Sequence, residues 1–317
     1  SCGCICDQKK GEEIHEEIMN KGLLEKDVVL GNALIDMYAK CGELAKAQEV
    51  LESLHLRNIV SWNAMITGYT KHGFAEDAVN LYKLLNYSCM QPTDITFTMA
   101  LHGCACLESL ECGRQIHKDI LIRSTNSNIY VNNILIDMYT KCGSLEDALK
   151  VFDDMPEHDV VSWNAIMSGL AKGGNWEATL AYFEKMCRSN IKPNDVTFLP
   201  ILSVCNHYGL PEMATSYFTS MTRDYGIEPT VEHYASMLDL LVRAGDLVKV
   251  LELFSRMPVE PDIPMWVSLL SAFQKHGDAS LAKKAFDFVI HLQPENAAAY
   301  IIMSNIYAEA SLQEFTM

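Results

Sequence analysis

The chain has 317 residues, 49% of them hydrophobic, with only 10 Pro and 17 Gly, which allows a large buried core and excludes a linker or low-complexity chain. A net charge of −16, from 25 Lys and Arg against 41 Asp and Glu, weighs against a DNA-binding protein that grips phosphates. No apolar run reaches the roughly 18 residues that a membrane span needs, so neither DNA nor a membrane is an expected partner. The first residue is Ser1 and no basic, Ser-rich leader follows, so the sequence reads as a fragment whose targeting peptide lies outside it.

Taken in chain order, the sequence repeats itself. Residues 1–27 are a partial unit, with GEEIH at 11 matching GRQIH at 113. VVLGNALIDMYAKCG begins at 28 and returns as IYVNNILIDMYTKCG at 129. IDMY recurs at 35 and 136, KCG at 40 and 141, and SWNA at 61 and 162, each offset by 101 residues. Identical tetrapeptides at a fixed offset indicate duplication and hence a repeat architecture. The block divides into units of 31, 35 and 35 residues, at 28–58, 59–93 and 94–128. The pattern restarts at 129–159 and 160–194, and looser units follow at 195–230, 231–262 and 263–296, with a partial unit from 297.

Each unit predicts two helices. In 59–93 the first places Trp62, Met65, Ile66 and Tyr69 at i, i+3, i+4 and i+7, and the second does the same with Ala78, Leu81, Tyr82 and Leu85. Between them Lys71-His72-Gly73 supplies a glycine stop. Pro92, Pro193, Pro229 and Pro261 precede the next unit, where a proline ends the second helix and leaves an extended entry. One such helix pair cannot bury its own apolar faces, so neighbours must stack. The expected fold is all-α, a right-handed superhelical solenoid of helix-turn-helix repeats.

The eleven Cys contain no C-x-x-C, so no zinc site, disulfide framework or cofactor is expected. Cys41 and Cys142 share a repeat position before Gly42 and Gly143, and Cys2 and Cys4 align with Cys104 and Cys106, which reads as packing thiols in a reducing compartment. His15 and His117 also recur and read as repeat packing. The one H-x-E, His15-Glu16-Glu17, has no C-x-x-C to complete a zinc site, and no His or Cys sits in a catalytic context, so an enzyme is not expected.

Two polar columns remain. The fifth residues of successive units are Asn32, Asn63, Thr98, Asn133, Asn164, Leu199 and Ala235; the last residues are Asn58, Thr93, Asn128, Asp159, Asn194, Thr230 and Asp262. The last column is explained by helix N-capping alone. Asn is a mediocre helix former, so its recurrence in a first turn is harder to explain. One reading is a ladder of Asn side chains bonded between repeats; the other is a ligand-facing row along one surface of a solenoid.

The stretches SWNAMITGY, NALIDMYAKCG, ALKVFDDMPEHD and GRQIH resemble plant pentatricopeptide repeat proteins. The alternating unit lengths resemble the class with long and short repeats in series. DYGIEP at 224–229 resembles its last long repeat, and SNIYA at 304–308 resembles the helical extension motifs after it. On this resemblance 28–262 is the repeat array and 263–317 a truncated extension, without a deaminase domain in this chain.

The resemblance implies binding of single-stranded organellar RNA and direction of cytidine-to-uridine editing in mitochondrion or chloroplast, with a deaminase or editing-complex partner on 263–317. It also implies that the fifth and last residues of a repeat together contact one base. Asn133 with Asp159 matches a uracil pair. Asn164 with Asn194, and Asn32 with Asn58, match pyrimidine pairs, and Thr98 with Asn128 an adenine pair. Asn63 with Thr93 departs from the family pairs. Leu199 with Thr230, and Ala235 with Asp262, lack the usual amide. The apolar second residue that flanks a base falls on Val29, Val60, Ile95, Tyr130 and Val161. Lys40, Lys71, Lys141 and Lys172 read either as backbone contacts or as helix C-terminal charges. A protein-binding scaffold of the tetratricopeptide type is the alternative function, and it does not require the Asn column.

Overall fold

The computed structural model describes residues 8–24, 27–88, 90–123, 128–257, 263–277 and 279–316. Cys2, Cys4, Cys6, Pro261 and Asp262 lie outside them. Eighteen helices and no strand occur among the described residues. The chain forms two compact bodies, residues 1–173 and 174–317.

In the first body α1 is Gln8–Asn20, and then helices come two to each predicted unit: α2 Val28–Cys41 with α3 Leu44–Ser53, α4 Ile59–Lys71 with α5 Ala75–Tyr87, α6 Asp94–Cys106 with α7 Leu110–Arg123, and α8 Ile129–Lys141 with α9 Leu145–Asp154. Helix α10, Val160–Lys172, closes the body. First helices pack one on the next, α2 on α4, α4 on α6, α6 on α8 and α8 on α10, and each second helix packs on its own first helix and the following one. The predicted stripes are the interior of this stack. Trp62, Met65, Ile66, Ala78, Leu81, Tyr82 and Leu85 are all buried, with Tyr69 at the margin.

Glycine sets both the turns and the spacing. Gly42 follows α2 at φ 83°, a left-handed conformation that side chains disfavour, and the helix closes with Gly42 N–H donating to Ala39 O and Glu43 N–H to Tyr38 O. Gly68 faces α2, where a Cβ would stand 2.7 Å from Ala39 Cβ, so the two first helices are as close as their backbones permit. The recurrent histidines are packing groups. His15 Nδ1 lies 2.9 Å from the Tyr38 hydroxyl, and His117 Nδ1 lies 2.8 Å from the Tyr139 hydroxyl, with the rings edge-on in both.

The second body has the same plan. It contains α11 Trp176–Arg188, α12 Asp195–Tyr208, α13 Pro211–Tyr225, α14 Val231–Ala244, α15 Leu247–Ser255, α16 Ile263–His276, α17 Ala279–Leu292 and α18 Ala297–Thr316. Helices α12, α14, α16 and α18 pack in series, with the intervening helices laid against them. Its core runs through Leu202, Leu238, Leu241, Leu270, Phe273, Val289 and Met303. The predicted proline entries at 92, 193 and 229 lie outside the helices, and each is followed by an extended N-cap residue that opens α6, α12 or α14.

Candidate functional site

The last residues Asn58, Thr93, Asn128, Asp159, Asn194 and Thr230 are N-caps. Asn58 Oδ1 accepts from Ser61 N at 3.0 Å, Asp159 Oδ1 from Ser162 N at 2.8 Å and Asn194 Oδ1 from Thr197 N at 3.1 Å. Thr93 caps α6 through Thr96 N, and Asn128 caps α8 one residue earlier, through Tyr130 N. The third residue of the helix returns the bond: the backbone N–H of Asn58, Thr93 and Asp159 donates to the hydroxyl oxygen of Ser61, Thr96 and Ser162 at 3.2, 2.9 and 3.2 Å. These are reciprocal capping boxes built with a hydroxyl where Glu or Gln is common.

The fifth residue of the preceding unit joins each box. Asn32 Nδ2 donates to Asn58 Oδ1 at 3.2 Å, Asn63 Nδ2 to Thr93 Oγ1 at 3.0 Å, and Asn133 Nδ2 to Asp159 Oδ1 at 3.1 Å. Its carbonyl accepts in turn from the third-residue hydroxyl: Ser61 Oγ to Asn32 at 2.5 Å, Thr96 Oγ1 to Asn63 at 2.6 Å, Ser162 Oγ to Asn133 at 2.7 Å. The orientation follows from the cap. Asn58 Oδ1 and Asp159 Oδ1 can only accept, so Asn32 and Asn133 must turn their N–H side toward them and their oxygen toward the hydroxyl, and Asn63 has the same arrangement against Thr93. Ser162 Oγ also lies 2.8 Å from Asp159 Oδ1, but that oxygen already takes two N–H groups, so the single hydroxyl hydrogen serves Asn133.

The inter-repeat bonds of the ladder reading are therefore present, and they join the predicted fifth and last residues at three junctions. Burial would raise the Asp159 carboxyl. N–H bonds from the Ser162 backbone, the Asn133 side chain and the Val161 backbone outweigh it and hold the group below its ordinary value. Asp159 is thus a carboxylate at neutral pH, and acceptor only.

Thr98 and Asn128 are not joined to each other. Thr98 Oγ1 donates to its own helix at Ile95 O, 3.0 Å, while Asn128 Nδ2 donates to Asp94 Oδ2 at 2.6 Å. A hydroxyl on a helix satisfies itself against the preceding turn, and the Asp94 carboxylate is a stronger acceptor than the threonine it replaces. Asn164, buried like Asn133, belongs to the first body and Asn194 to the second. In the second body the third residue of α14 is His233, whose Nδ1 lies 2.7 Å from Thr230 Oγ1; Leu199 stands at the fifth position of the preceding unit.

Beside the polar junctions stands an exposed apolar column. Val29, Val60, Ile95, Tyr130 and Val161 are between 53% and 71% exposed, from Val161 to Tyr130, although each sits in the first turn of a packed helix. In the second body Val196 holds the equivalent place and is also exposed, whereas Glu232 stands there in the next unit. The Lys column is exposed as well; Lys40 and Lys141 pair with Asp36 and Asp137 on their own helices at 2.6 and 2.7 Å. All seven described cysteines are free thiols, and no His, Cys, Asp or Glu group able to hold a metal occurs among the described residues. No helix among them is long and apolar enough to cross a membrane.

The column that sequence reasoning missed is the third residue: Ser61, Thr96, Ser162 and Thr197. Its signal was available, because the Ser of both SWNA motifs is an N3 hydroxyl.

Family models agree with the repeat pattern. The PPR repeat family matches residues 57–106 and 158–207, the PPR repeat matches 32–59 and 133–160, and a model described as pentatricopeptide repeat-containing protein matches 195–315. The chain belongs to the pentatricopeptide repeat family. One Arabidopsis thaliana pentatricopeptide repeat-containing protein is 38% identical over 299 residues, 94% of this chain and 42% of the relative. Another, a mitochondrial one, is 39% identical over 310 residues, 98% of this chain and 48% of the relative. The chain thus spans less than half the length of these two relatives. The crystal structure of the maize pentatricopeptide repeat protein PPR10 matches 96% of this chain and 44% of its own, with a TM-score of 0.78 and 16% identity, a likeness of fold. PPR10 has also been solved in complex with an 18-nt psaJ RNA element, with a TM-score of 0.76 to this chain.

Proposed function

We propose that this pentatricopeptide repeat chain binds single-stranded RNA and reads it about one base per repeat. The observation that carries the reading is the exposed apolar column Val29, Val60, Ile95, Tyr130 and Val161, set in register beside the junctions of fifth and last residues. A packed helix gains nothing from an exposed branched or aromatic residue at the same place in five repeats, whereas a flat base can be sandwiched between two of them. The junction supplies what the base edge needs. Asn133 Nδ2 keeps a second hydrogen after Asp159 takes one, and the Asp159 carboxylate has a second oxygen. One donor and one acceptor side by side complement the carbonyl and N–H of uracil. The RNA-bound PPR10 structure supports the same ligand class for this fold.

The finer reading is an organellar editing-specificity factor that has no catalytic activity of its own and recruits a deaminase through 263–317. Mitochondrial relatives support the compartment. The protein-scaffold alternative makes no use of a column able to sandwich bases. Sequencing of RNA retained by the purified chain from a random pool tests the proposal. A short enriched motif with uracil opposite the 129–159 repeat is expected, and an unenriched pool would refute it.

A further inference from the structure

Resting on that reading, we propose that the third-residue hydroxyls Ser61, Thr96 and Ser162 are positioning residues for base selection, acting through the Asn of the preceding repeat.

Three observations converge. Each hydroxyl donates to the Asn carbonyl across a repeat junction, at 2.5, 2.6 and 2.7 Å. Each is fully buried, so water does not compete for the bond. The third observation lies in the sequence. Where the fifth residue is Asn, the next repeat has a hydroxyl at its third position: Asn32 with Ser61, Asn63 with Thr96, Asn133 with Ser162, Asn164 with Thr197. Where it is not Asn, the hydroxyl is gone: Thr98 is followed by Val131 and Leu199 by His233. A hydroxyl kept only for helix capping would not track the previous repeat, and His233 caps α14 without one.

The physical role follows. Asn133 is held at both ends of its amide, the N–H side by the Asp159 carboxylate and the carbonyl by the Ser162 hydroxyl. Two anchors fix the plane of the amide, and with it the direction of the second N–H hydrogen that a base would meet. Without the hydroxyl the carbonyl of Asn133 is left buried and unpaired, and the amide keeps one anchor about which it can turn. The hydroxyl therefore fixes where the donor points, without touching the ligand itself.

The test uses the whole chain and four single-stranded RNAs that differ only at the base opposite the 129–159 repeat. The native chain should prefer uracil by roughly tenfold, the scale of a well-made base contact. Ser162→Ala should reduce that preference to about twofold or less, with the same loss of preference absent at neighbouring positions, and Ser162→Thr should restore it. If Ser162→Ala disturbs folding, Thr96→Val keeps the buried volume and removes only the hydroxyl, and should level whatever preference the native chain has opposite 59–93. Preserved ratios in the folded Ala and Val variants, with all four RNAs weakened alike, would overturn the positioning role and leave only a cap. A native chain with no preference among the four RNAs would overturn the base-reading proposal together with it.

Discussion

At the scale of single residues, Asn133 and Asp159 meet in one hydrogen-bonded junction with Ser162, and each has bonding capacity left over. Replacing Asn133 by Thr removes the amide donor. On the base-reading proposal and the family resemblance, Asn133→Thr switches preference at one RNA position from uracil toward guanine and leaves the neighbours unchanged. Binding to four RNAs that differ at that base checks it. A lowered thermal midpoint with unchanged preference would show that the bonds serve only the ladder; losing one such bond costs on the order of 1 kcal/mol. Burial lowers His117, as it lowers His15 and His233. The unfolded chain then binds protons near pH 6.5 that the folded chain refuses, so their contribution is fully present above that pH and is lost as the pH falls below it. The thermal midpoint should drop between pH 7.5 and 5.5, and His117→Gln should flatten part of that slope; a midpoint independent of pH in this range would contradict it. Asp159 acts in a separate, more acidic window. Its folded value is lowered, so its stabilisation persists above the ordinary carboxylate range and fades as the pH falls through the lowered value.

At the scale of helices, the sequence made the elements legible because periodicity reports burial directly. Trp62, Met65 and Ile66 could only form one face of a helix, and that face is the interior. The caps were equally readable from Asn58, Thr93 and Asp159, since local backbone chemistry decides them. What could not be read was partner choice across a junction. Asn128 turns to Asp94 instead of Thr98 because rotamers and carboxylate strength decide it, and neither shows in a spacing pattern. The third-residue hydroxyls were overlooked because pairing fifth with last residues left no room for a third member. Spacing between helices gives the test at this scale. Gly68→Ala places a methyl 2.7 Å from Ala39 Cβ, and neither helix has a flexible side chain there to yield. The expected cost is about 1–3 kcal/mol, read as a lower denaturation midpoint, whereas an unchanged midpoint would mean that the first helices slide apart freely.

For the whole molecule, the net charge of −16 limits how the chain can hold a polyanion. Lys40 and Lys141, two of the four helix-end lysines, are already paired with acidic neighbours, which weakens them as phosphate contacts. Affinity carried by stacking and base edges should change only weakly with salt, with a slope equivalent to about one to three phosphate contacts. A steep slope in a salt titration would move the weight to the phosphate backbone. Duplex RNA hides the edges that the junctions would contact, so it should compete poorly with single strands.

The most direct measurement compares two single-stranded RNAs of identical composition. One carries, from its 5′ end, pyrimidine, any base, adenine, uracil and pyrimidine, in the order of repeats 28–194; the other carries the same bases in reverse order. If the repeats read bases in sequence with the N-terminus toward the 5′ end, the forward RNA binds at least about tenfold more tightly, the scale of one well-made base contact. Equal affinity for the two orders would contradict base reading by this repeat array.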